Sequence, residues 1–511
     1  MSNLMHGVGL TIGDLWREQV RRCPREIAIE LGARKLTYAE LDALANAHAA
    51  ILLNKGIRRH DRIAILSWNS IEYVALQLAA AKLGVAVACL NWRQSRSELE
   101  YCAELAAPAI LFASARYAEE AAAIASKLGI EVVPSDAAPA SEHLTAGEPR
   151  ASSALVQAED IWTILYTSGT TGWPKGAAIS HRAMVARMTI SLLDGGVVAG
   201  RPSVVWAPMF HMAGSDNVLI SLLVGGGVLL FEKYDPATLA ALAVERDLGV
   251  LPLMPSTITP LIEALRALDK PVRGVARIGS MADLIPPSEI AEISSLLGAP
   301  FRNTFGSTET GQAPASKGII SPGVVPSSLS KTQSSLCAIR LLDDEGNEVP
   351  DGMPGEVAVR GPSLFSGYLN KQEIDGTPLA SGWFLTGDVM RHAGGGLFDF
   401  VDRKKYLIKS GGENIYPAEI ERILLECDRI ADAAVVRDQS PVWGECPVAF
   451  VVPRSASMTE DEVKSLFRGR LANYKHPKRI IFIAEQDLPR NTTGKVQRHV
   501  LEARLKASSA D

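Results

Sequence analysis

The sequence predicts an α/β protein with a large N-terminal domain of several βα sheets and a small α+β C-terminal domain. Three observations predict this fold class. The chain has 511 residues, more than a single hydrophobic core usually organises. Apolar strand patterns alternate with helical ones in its first quarter, and the pattern restarts on a smaller scale near residue 402. We therefore expect domains at 1–401 and 402–511.

The first quarter of the chain alternates helical and extended patterns. Thr37 suits the N-cap of a helix that ends near Gly56, because its hydroxyl can accept from the first helical N–H groups. We expect strands at 62–68, 85–90 and 109–113, and helices at 71–83 and 97–105. This order predicts a largely parallel sheet with helical cover.

The C-terminal segment has its own helices and strands. Pro417 suits the first turn of one helix, and Thr459 suits the N-cap of a second helix that reaches Leu471. We expect strands at 433–436, 448–452 and 480–483. A unit of about a hundred residues is a normal domain size.

Composition excludes several classes of protein. Lys plus Arg number 52 against 57 Asp plus Glu, so no basic field makes nucleic acid a default partner. The longest uncharged apolar run, 217–231, contains three glycines and is short for a transmembrane segment. The start lacks a signal-peptide pattern, and six scattered cysteines lack metal-site spacing. We expect a cytoplasmic enzyme, and a homodimer is one option for its oligomeric state.

The first chemical motif lies between apolar strands predicted at 161–166 and 176–179. It reads Thr167-Ser168-Gly169-Thr170-Thr171-Gly172-Trp173-Pro174-Lys175. Glycines let backbone N–H groups converge on an anion, and Lys175 adds positive charge. A flexible connector is the alternative, but the ordered flanks favour a phosphate loop. Lys175 does not follow Gly172 directly, which disfavours a P-loop kinase or GTPase.

Residues 166–176, YTSGTTGWPKG, resemble the phosphate loop of the adenylate-forming acyl-CoA synthetases, the ANL superfamily that includes amino-acid adenylation domains and luciferases. The resemblance continues in order through the segments 303–309, 382–388, 402–417 and 489–495. It implies an ANL-type fold and the ligands ATP, Mg²⁺ and coenzyme A.

The resemblance implies a nucleotide site. It assigns Phe305 to adenine, and an aromatic platform contributes about 1–3 kcal/mol to base stacking. Asp388, joined by Arg403, corresponds to the ribose-binding aspartate, since a carboxylate offers a diol two acceptor oxygens. Glu309 corresponds to a magnesium ligand, because hard cations take carboxylate oxygens. Further assigned nucleotide residues are Thr167, Ser168, Gly169, Thr170, Thr171, Gly172, Lys175, Asn303, Thr304 and Thr308.

The C-terminal segment resembles the part of the family that serves both half-reactions. Lys495 corresponds to the catalytic lysine, whose cation offsets charge as a carboxylate attacks the α-phosphate. Lys405 corresponds to the hinge position of the family. The coenzyme A residues implied by the resemblance are Gly411, Gly412, Trp443, Tyr474 and Lys478. His476 stands where some aryl-CoA ligases have Arg.

The acid pocket is implied by position in the family pattern. His211 stands where amino-acid adenylating relatives have Asp, which disfavours an α-amino acid substrate. The other pocket candidates are Ser256, Gly279, Ser280, Met281 and Ala282. The stretch 331–336, KTQSSL, departs from the usual Gly-x-Pro pattern. The resemblance leaves open an aryl acid or a short to medium fatty acid.

These motifs predict an ATP-dependent carboxylate–CoA ligase that works through an acyl-adenylate and domain alternation. A stand-alone enzyme that loads the phosphopantetheine thiol of a carrier protein is one alternative. A non-catalytic nucleotide-binding regulator is another, although Lys175, Glu309, Asp388 and Lys495 are all present.

Overall fold

A computed structural model describes residues 10–136, 156–167, 173–283, 285–370, 373–376, 379, 381–410, 413–455, 457–468, 470–490 and 494–508. Its α-helices are Ile12–Arg22, Tyr38–Asn54, Ile71–Leu83, Arg96–Ala106, Ala118–Leu128, His181–Leu193, Met212–Leu223, Pro236–Glu245, Pro255–Leu268, Pro287–Leu297, Pro417–Leu425, Glu460–Ser465 and Arg498–Ser508. Short 3₁₀ turns lie at Ala115–Tyr117, Lys404–Tyr406, Asn473–Lys475 and Glu485–Asp487.

An eight-stranded sheet organises the first part of the chain. Its strands, in spatial order, are Glu373–Asp375, Gly367–Asn370, Lys175–Ser180, Ile161–Thr167, Ala86–Cys89, Arg62–Leu66, Ile110–Ala113 and Glu131–Pro134. The last five are parallel, as the βαβα pattern predicts, whereas the first three run antiparallel to their neighbours.

Smaller sheets complete the part of the chain before the C-terminal unit. One has the order Arg34–Thr37, Ile27–Leu31, Val228–Leu230, Ser203–Val205, and another has Asp247–Pro252, Gly274–Ser280, Phe301–Asn303, Ile319–Ile320. A hairpin pairs Gly306–Ser307 with Gly311–Pro314. A five-stranded antiparallel sheet has the order Lys331–Thr332, Leu397–Arg403, Phe384–Gly394, Pro354–Arg360, Ala338–Leu342.

The C-terminal unit forms its own sheet and its own hydrophobic clusters. The sheet has the order Glu413–Ile415, Ile408–Ser410, Gly444–Pro453, Ile430–Ser440, and Arg479–Phe482 pairs in parallel with Gly444–Pro453. Two of its buried clusters contain only residues from Ile408 onward, and a third joins Tyr416 to Val389 and Val401. The boundary between 401 and 402 stays a prediction, and the strand Leu397–Arg403 runs across it.

Local sequence accounts for most element starts. Thr37 accepts a hydrogen bond from the Glu40 backbone, and the helix ends at Asn54, just before Gly56 with its positive φ of 78°. Thr459 caps the helix Glu460–Ser465 in the same way. The prediction that this helix reaches Leu471 is wrong, because i→i+3 bonds from Leu466, Phe467 and Arg468 replace the helical pattern.

Within the described residues, no helix is both long and apolar enough to cross a membrane. All six cysteines are unpaired.

Candidate active site

The strands Ile161–Thr167 and Lys175–Ser180 bring both ends of the predicted phosphate loop together. Thr167 pairs directly with Lys175 in this antiparallel ladder. The Lys175 ammonium lies 5.0 Å from the centre of the Tyr368 ring. Residues 168–172, including Ser168, Gly169, Thr170, Thr171 and Gly172, lie outside the described residues.

Glu309 lies next to Lys175 through a shared partner. The Tyr368 hydroxyl donates to Glu309 Oε1 at 2.8 Å, and this tyrosine is a site residue that the sequence did not indicate. Burial raises the pKa of Tyr368, and the charge of Glu309 adds to the effect. The hydroxyl therefore stays protonated and can orient the carboxylate.

A magnesium site here would use few protein ligands. No group of three or more acidic, histidine or cysteine side chains suited to a metal occurs in the part of the chain that the structure describes. The buried Glu309 carboxylate offers hard oxygen ligands, and Mg²⁺ commonly combines one or two carboxylates with substrate phosphates and water. The residues therefore fit a metal held mainly by the nucleotide.

Phe305, the residue predicted to stack on adenine, is buried in this structure. Phe305 is only 3% exposed, and its ring centre lies 6.2 Å from that of Phe400. Ser316 fixes its backbone on both sides, accepting from Phe305 N at 2.8 Å and donating to Phe305 O at 3.0 Å. Phe305 thus lies within a hydrophobic cluster in this structure, and its stacking on adenine stays a prediction.

The predicted ribose pair is assembled by neighbouring strands. Asp388 and Arg403 are direct partners in the ladder between Phe384–Gly394 and Leu397–Arg403. Arg403 Nε lies 3.0 Å from Asp388 Oδ1. Burial raises the pKa of Asp388, whereas the charges of Arg403 and Lys495 oppose the rise.

Lys495 comes from the C-terminal unit to the same cleft. It lies within electrostatic reach of Asp388, Arg403 and Glu309, and the residue keeps solvent-exposed surface. The surrounding protein atoms lower the pKa of the ammonium. Arg403 and Lys405 add to this, while Asp388 and Glu309 oppose it. The structure therefore brings together predicted residues that are far apart in the sequence.

His211 lies at the start of the helix Met212–Leu223, where its Nδ1 accepts from Ala213 N at 3.2 Å. Burial, with smaller contributions from Lys495 and Arg93, lowers the pKa of His211 to about 4. An accepting Nδ1 and a low pKa both require a neutral imidazole. This agrees with the expectation that an amino-acid ammonium would find no carboxylate here.

The other acid-pocket candidates divide between two places. Gly279 and Ser280 end the strand Gly274–Ser280, and Thr304 N donates to Ser280 O at 2.8 Å. Met281 follows at half-buried depth. Ser256 lies at the start of Pro255–Leu268, where a Cβ added to Gly494 would lie 3.6 Å from its Oγ. Ser256 therefore lies close to Gly494, the residue before Lys495.

Lys331 is a site residue whose role the sequence did not reveal. It is fully buried, and its ammonium lies 2.6 Å from Asp283 Oδ2 and also donates to Asn303 Oδ1. The same Asn303 oxygen accepts from Ala282 N at 3.2 Å. Lys331 thus ties the loop after Ser280 to the predicted nucleotide block.

This contact explains the first position of KTQSSL. At its last position, Leu336 adopts a φ of 58°, the left-handed region that favours glycine.

The predicted hinge lies between contacts to both units. Lys405 occupies an exposed 3₁₀ turn, and Arg437 donates to its carbonyl at 2.7 Å. On one side, Lys404 pairs with Glu356 at 2.7 Å and Asp344 at 2.8 Å. On the other side, Arg498 pairs with buried Glu421 at 2.6 Å.

The predicted coenzyme A residues lie on the surface of the C-terminal unit. Trp443 is 50% exposed, and the Lys478 ammonium lies 5.9 Å from the centre of its ring. Tyr474 is exposed on the turn Asn473–Lys475. His476 turns inward, with Nε2 3.0 Å from Leu471 O. Gly411 and Gly412 lie outside the described residues.

Family comparisons cover most of the chain. The model for an AMP-binding enzyme matches residues 16–369, and the model for an AMP-binding enzyme C-terminal domain matches residues 419–495.

Curated relatives are similar over nearly their full length. Indoleacetate–CoA ligase of Aromatoleum aromaticum is 33% identical over 93% of this chain and 94% of that protein. Feruloyl-CoA synthase of an Amycolatopsis species is 32% identical over 94% and 96%. A 2-succinylbenzoate–CoA ligase of Bacillus cereus is 30% identical over 94% and 95%.

Solved structures share the fold. ATP-bound MatB from Rhodopseudomonas palustris superimposes with a TM-score of 0.84 at 29% identity, covering 97% of this chain and 99% of that one. The o-succinylbenzoate coenzyme A synthetase of Bacillus subtilis, in complex with ATP and a magnesium ion, gives 0.81 at 25% identity over 95% and 98%.

Proposed function

The chain belongs to the AMP-binding enzyme family and is an AMP-forming carboxylate–CoA ligase, and on this premise we propose that it activates an aromatic acid. In the ligase reaction the acid and ATP give acyl-AMP and pyrophosphate, and the thiol of coenzyme A then displaces AMP. The three curated relatives above are named for indoleacetate, ferulate and 2-succinylbenzoate, which are all aromatic acids.

The electrostatic interaction of Lys495 with Asp388, Arg403 and Glu309 supports the assignment of residues. In the first step a carboxylate oxygen attacks the α-phosphorus, and the bond from that phosphorus to the pyrophosphate oxygen breaks. Two anions approach each other in this step, so the Lys495 ammonium stabilises the transition state more than the separated reactants.

Several groups would hold ATP during this attack. Asp388, fixed by Arg403, accepts from the ribose hydroxyls, and Lys175 with the adjoining loop binds phosphate oxygens. Glu309, oriented by Tyr368, would bind Mg²⁺, whose charge neutralises part of the triphosphate charge.

The second step would use the exposed face of the C-terminal unit. After rotation about Lys405, Trp443 and Tyr474 would stack on the adenine of coenzyme A, and Lys478 would bind its phosphate. Gly411 and Gly412 are proposed to line the path of the pantetheine chain.

Acid-dependent ATP–pyrophosphate exchange tests the substrate class. The panel is indoleacetate, ferulate and 2-succinylbenzoate against hexanoate and decanoate. We expect the best aromatic acid to exceed both fatty acids by at least about 10-fold in kcat/KM, because a shaped pocket discriminates by contact. A preference for a fatty acid overturns the aromatic assignment, whereas no exchange with any acid overturns the activation step itself.

The thiol acceptor is tested separately. Thioester formation with free coenzyme A is expected, and exclusive transfer to a phosphopantetheinyl carrier protein would favour the carrier-loading alternative. A cytoplasmic location and a homodimer remain predictions.

A further inference from the structure

Two arginines lie on one face of the sheet that borders the acid pocket. The parallel strands Asp247–Pro252, Gly274–Ser280 and Phe301–Asn303 pair Val250 with Arg277 and Gly279 with Arg302. Paired residues share a face and alternate residues share a face, so Arg277, Gly279 and Arg302 project to the same side.

The opposite face of this sheet is apolar. Leu251, Ile278 and Phe301 lie there and are fully buried in a hydrophobic cluster with the neighbouring helices. The two guanidinium groups therefore lie on the side of Gly279, which is the side assigned to the acid.

Small residues on the opposing segment accommodate the arginines. A Cβ added to Gly196 would lie 2.1 Å from Arg302 Nη1, and one added to Gly195 would lie 3.4 Å from Arg277 Nη2. Gly196 also lines a cavity of about 10 Å³ together with Val250 and Asn217. A cavity of this size accepts about one water molecule and is too small for a whole acid.

The helix Met212–Leu223 relates this cavity to the reacting end. His211, whose pKa responds to Lys495, lies at its start, and Asn217 lies six residues further on. At 1.5 Å per residue, the axial distance between these two positions is about 9 Å. This axial distance is roughly the length of an aromatic ring with one substituent.

The two arginines lack a carboxylate partner. Arg302 is 3% exposed and donates to Ser316 O and to Gln312 Oε1 at 3.3 Å. Arg277 donates to Gly195 O at 3.1 Å. Over the described part of the chain, neither guanidinium has a carboxylate within 4.0 Å, whereas buried Arg187 pairs with Asp216 at 2.9 Å.

The negative charge of Asp194 offsets only part of the cost of burying Arg302. Asp194 acts on Arg302 through space, and its two oxygens accept from Ser335 N at 2.9 Å and Ser335 Oγ at 2.6 Å. Burial lowers the pKa of Arg302 to about 10, with Arg277 adding to the fall and Asp194 opposing it. Buried charges without an ionic partner are costly, and an anionic ligand would reduce that cost.

We propose that the acid substrate carries a second carboxylate at the end remote from the activated carboxyl, and that Arg302 and Arg277 bind this second carboxylate. A guanidinium presents a planar fork of donors that matches a carboxylate. This inference rests on the proposed ligase function and narrows its substrate class from aromatic acids to aromatic acids that carry a second carboxylate.

Matched acids test the proposal on the full-length enzyme. One pair is phenylacetate and 1,4-phenylenediacetate, and the second is heptanoate and heptanedioate. We expect a diacid to exceed its matched monoacid by about 100-fold in kcat/KM for pyrophosphate release, because a site built around polar groups rejects a ligand that leaves them unpaired. A wild-type enzyme that uses monoacids as well as diacids overturns the proposal.

Variants of Arg302 test whether this residue causes the preference for diacids over monoacids. Arg302→Met should reduce the diacid preference by at least about 10-fold, and Arg302→Lys should restore part of it. Arg246→Met is a control outside the pocket, because Arg246 pairs with Glu30 at 2.9 Å, and it should leave the preference unchanged. If Arg302 served only to hold Ser316 and Gln312, Arg302→Met would lower stability without changing the diacid-to-monoacid ratio, and that result overturns the proposal.

The experiment separates this proposal from the function on which it rests. Thioester formation from monoacids without a diacid preference would leave the ligase intact and remove the second-carboxylate site. Should Arg302→Met not fold, the wild-type ratios alone decide.

Discussion

The two sides of the cleft hold their polar groups differently. In the part of the chain before the C-terminal unit, Asp388, Asn303 and Lys331 are buried, and each has partners in the surrounding sheets or loops. On the C-terminal side, Trp443 is half exposed, and Lys495 keeps exposed surface although the surrounding protein partly desolvates its ammonium. Groups fixed by buried partners suit a site that stays assembled, whereas exposed groups can leave without opening a core.

The largest effect is expected for Lys331→Met, which tests whether buried partners hold the N-terminal side of the site in place. This change leaves Asp283 without its buried cation, which costs about 3–5 kcal/mol in the free energy of unfolding. Chemical denaturation measures the loss. Lys317→Met is the matched control, because Lys317 is exposed, and it should change stability by less than about 0.5 kcal/mol. Equal stability of both variants would contradict the structural role of Lys331.

The next largest effect is expected for Lys495→Ala, which tests whether the C-terminal unit serves only one of the two half-reactions. We expect adenylate formation to fall about 10²–10³-fold, because one preorganised electrostatic group is lost at the reacting phosphate. Conversion of supplied acyl-adenylate to thioester should stay within about 2-fold of wild type. Single-turnover assays separate the two steps, with Lys506→Ala as the surface control. Equal loss of both steps would show that Lys495 is not specific to adenylation.

A smaller effect is expected at Trp443. Trp443→Ala removes the exposed ring beside Lys478 and should raise the KM for coenzyme A about 10-fold, in line with the loss of one stacking contact. The KM for ATP and the rate of pyrophosphate exchange should not change. A parallel rise in the KM for ATP would place Trp443 at the nucleotide of the first step instead.

The smallest effect concerns pH. Desolvation by the surrounding protein lowers the pKa of Lys495 from 10.5, so its cationic form is lost at a lower pH than that of a free lysine. For adenylation, kcat/KM should therefore decline on the alkaline side below pH 10.5, and Lys495→Arg should move this limb to higher pH. His211, with a pKa of about 4, should contribute no inflection between pH 6 and 7.

Sequence reasoning proposes functional groups mainly where the signal is local. The loop 167–175 and the block 303–309 are contiguous, so their residue types and order are visible without a fold. Capping pairs were predictable for the same reason, as the Thr37–Glu40 contact illustrates. The position where a helix ends was harder to predict, since the helix expected to reach Leu471 ends at Ser465. Gly469 within that stretch was a local signal for an earlier end.

The missed residues depend on tertiary contacts. Lys331 meets Asp283, 48 residues earlier, and Tyr368 meets Glu309, 59 residues earlier. In the sequence, Arg302 resembles any other arginine, and only its position opposite Gly279 reveals a buried charge. Burial and pairing arise from sheet order, which the local pattern does not encode.

The two contacts that flank the hinge differ in what a rotation would demand of them. Lys404 holds Glu356 and Asp344 with an exposed ammonium, and such surface pairs typically contribute about 0.2–1 kcal/mol each. Arg498, whose side chain is 12% exposed, pairs with buried Glu421 inside the C-terminal unit, so this pair can move with the rotating domain. A rotation would lose little by breaking the Lys404 pairs, whereas it would also have to separate Tyr416 from its buried cluster with Val389 and Val401. A nucleotide that binds one orientation more tightly would shift the balance between the two orientations.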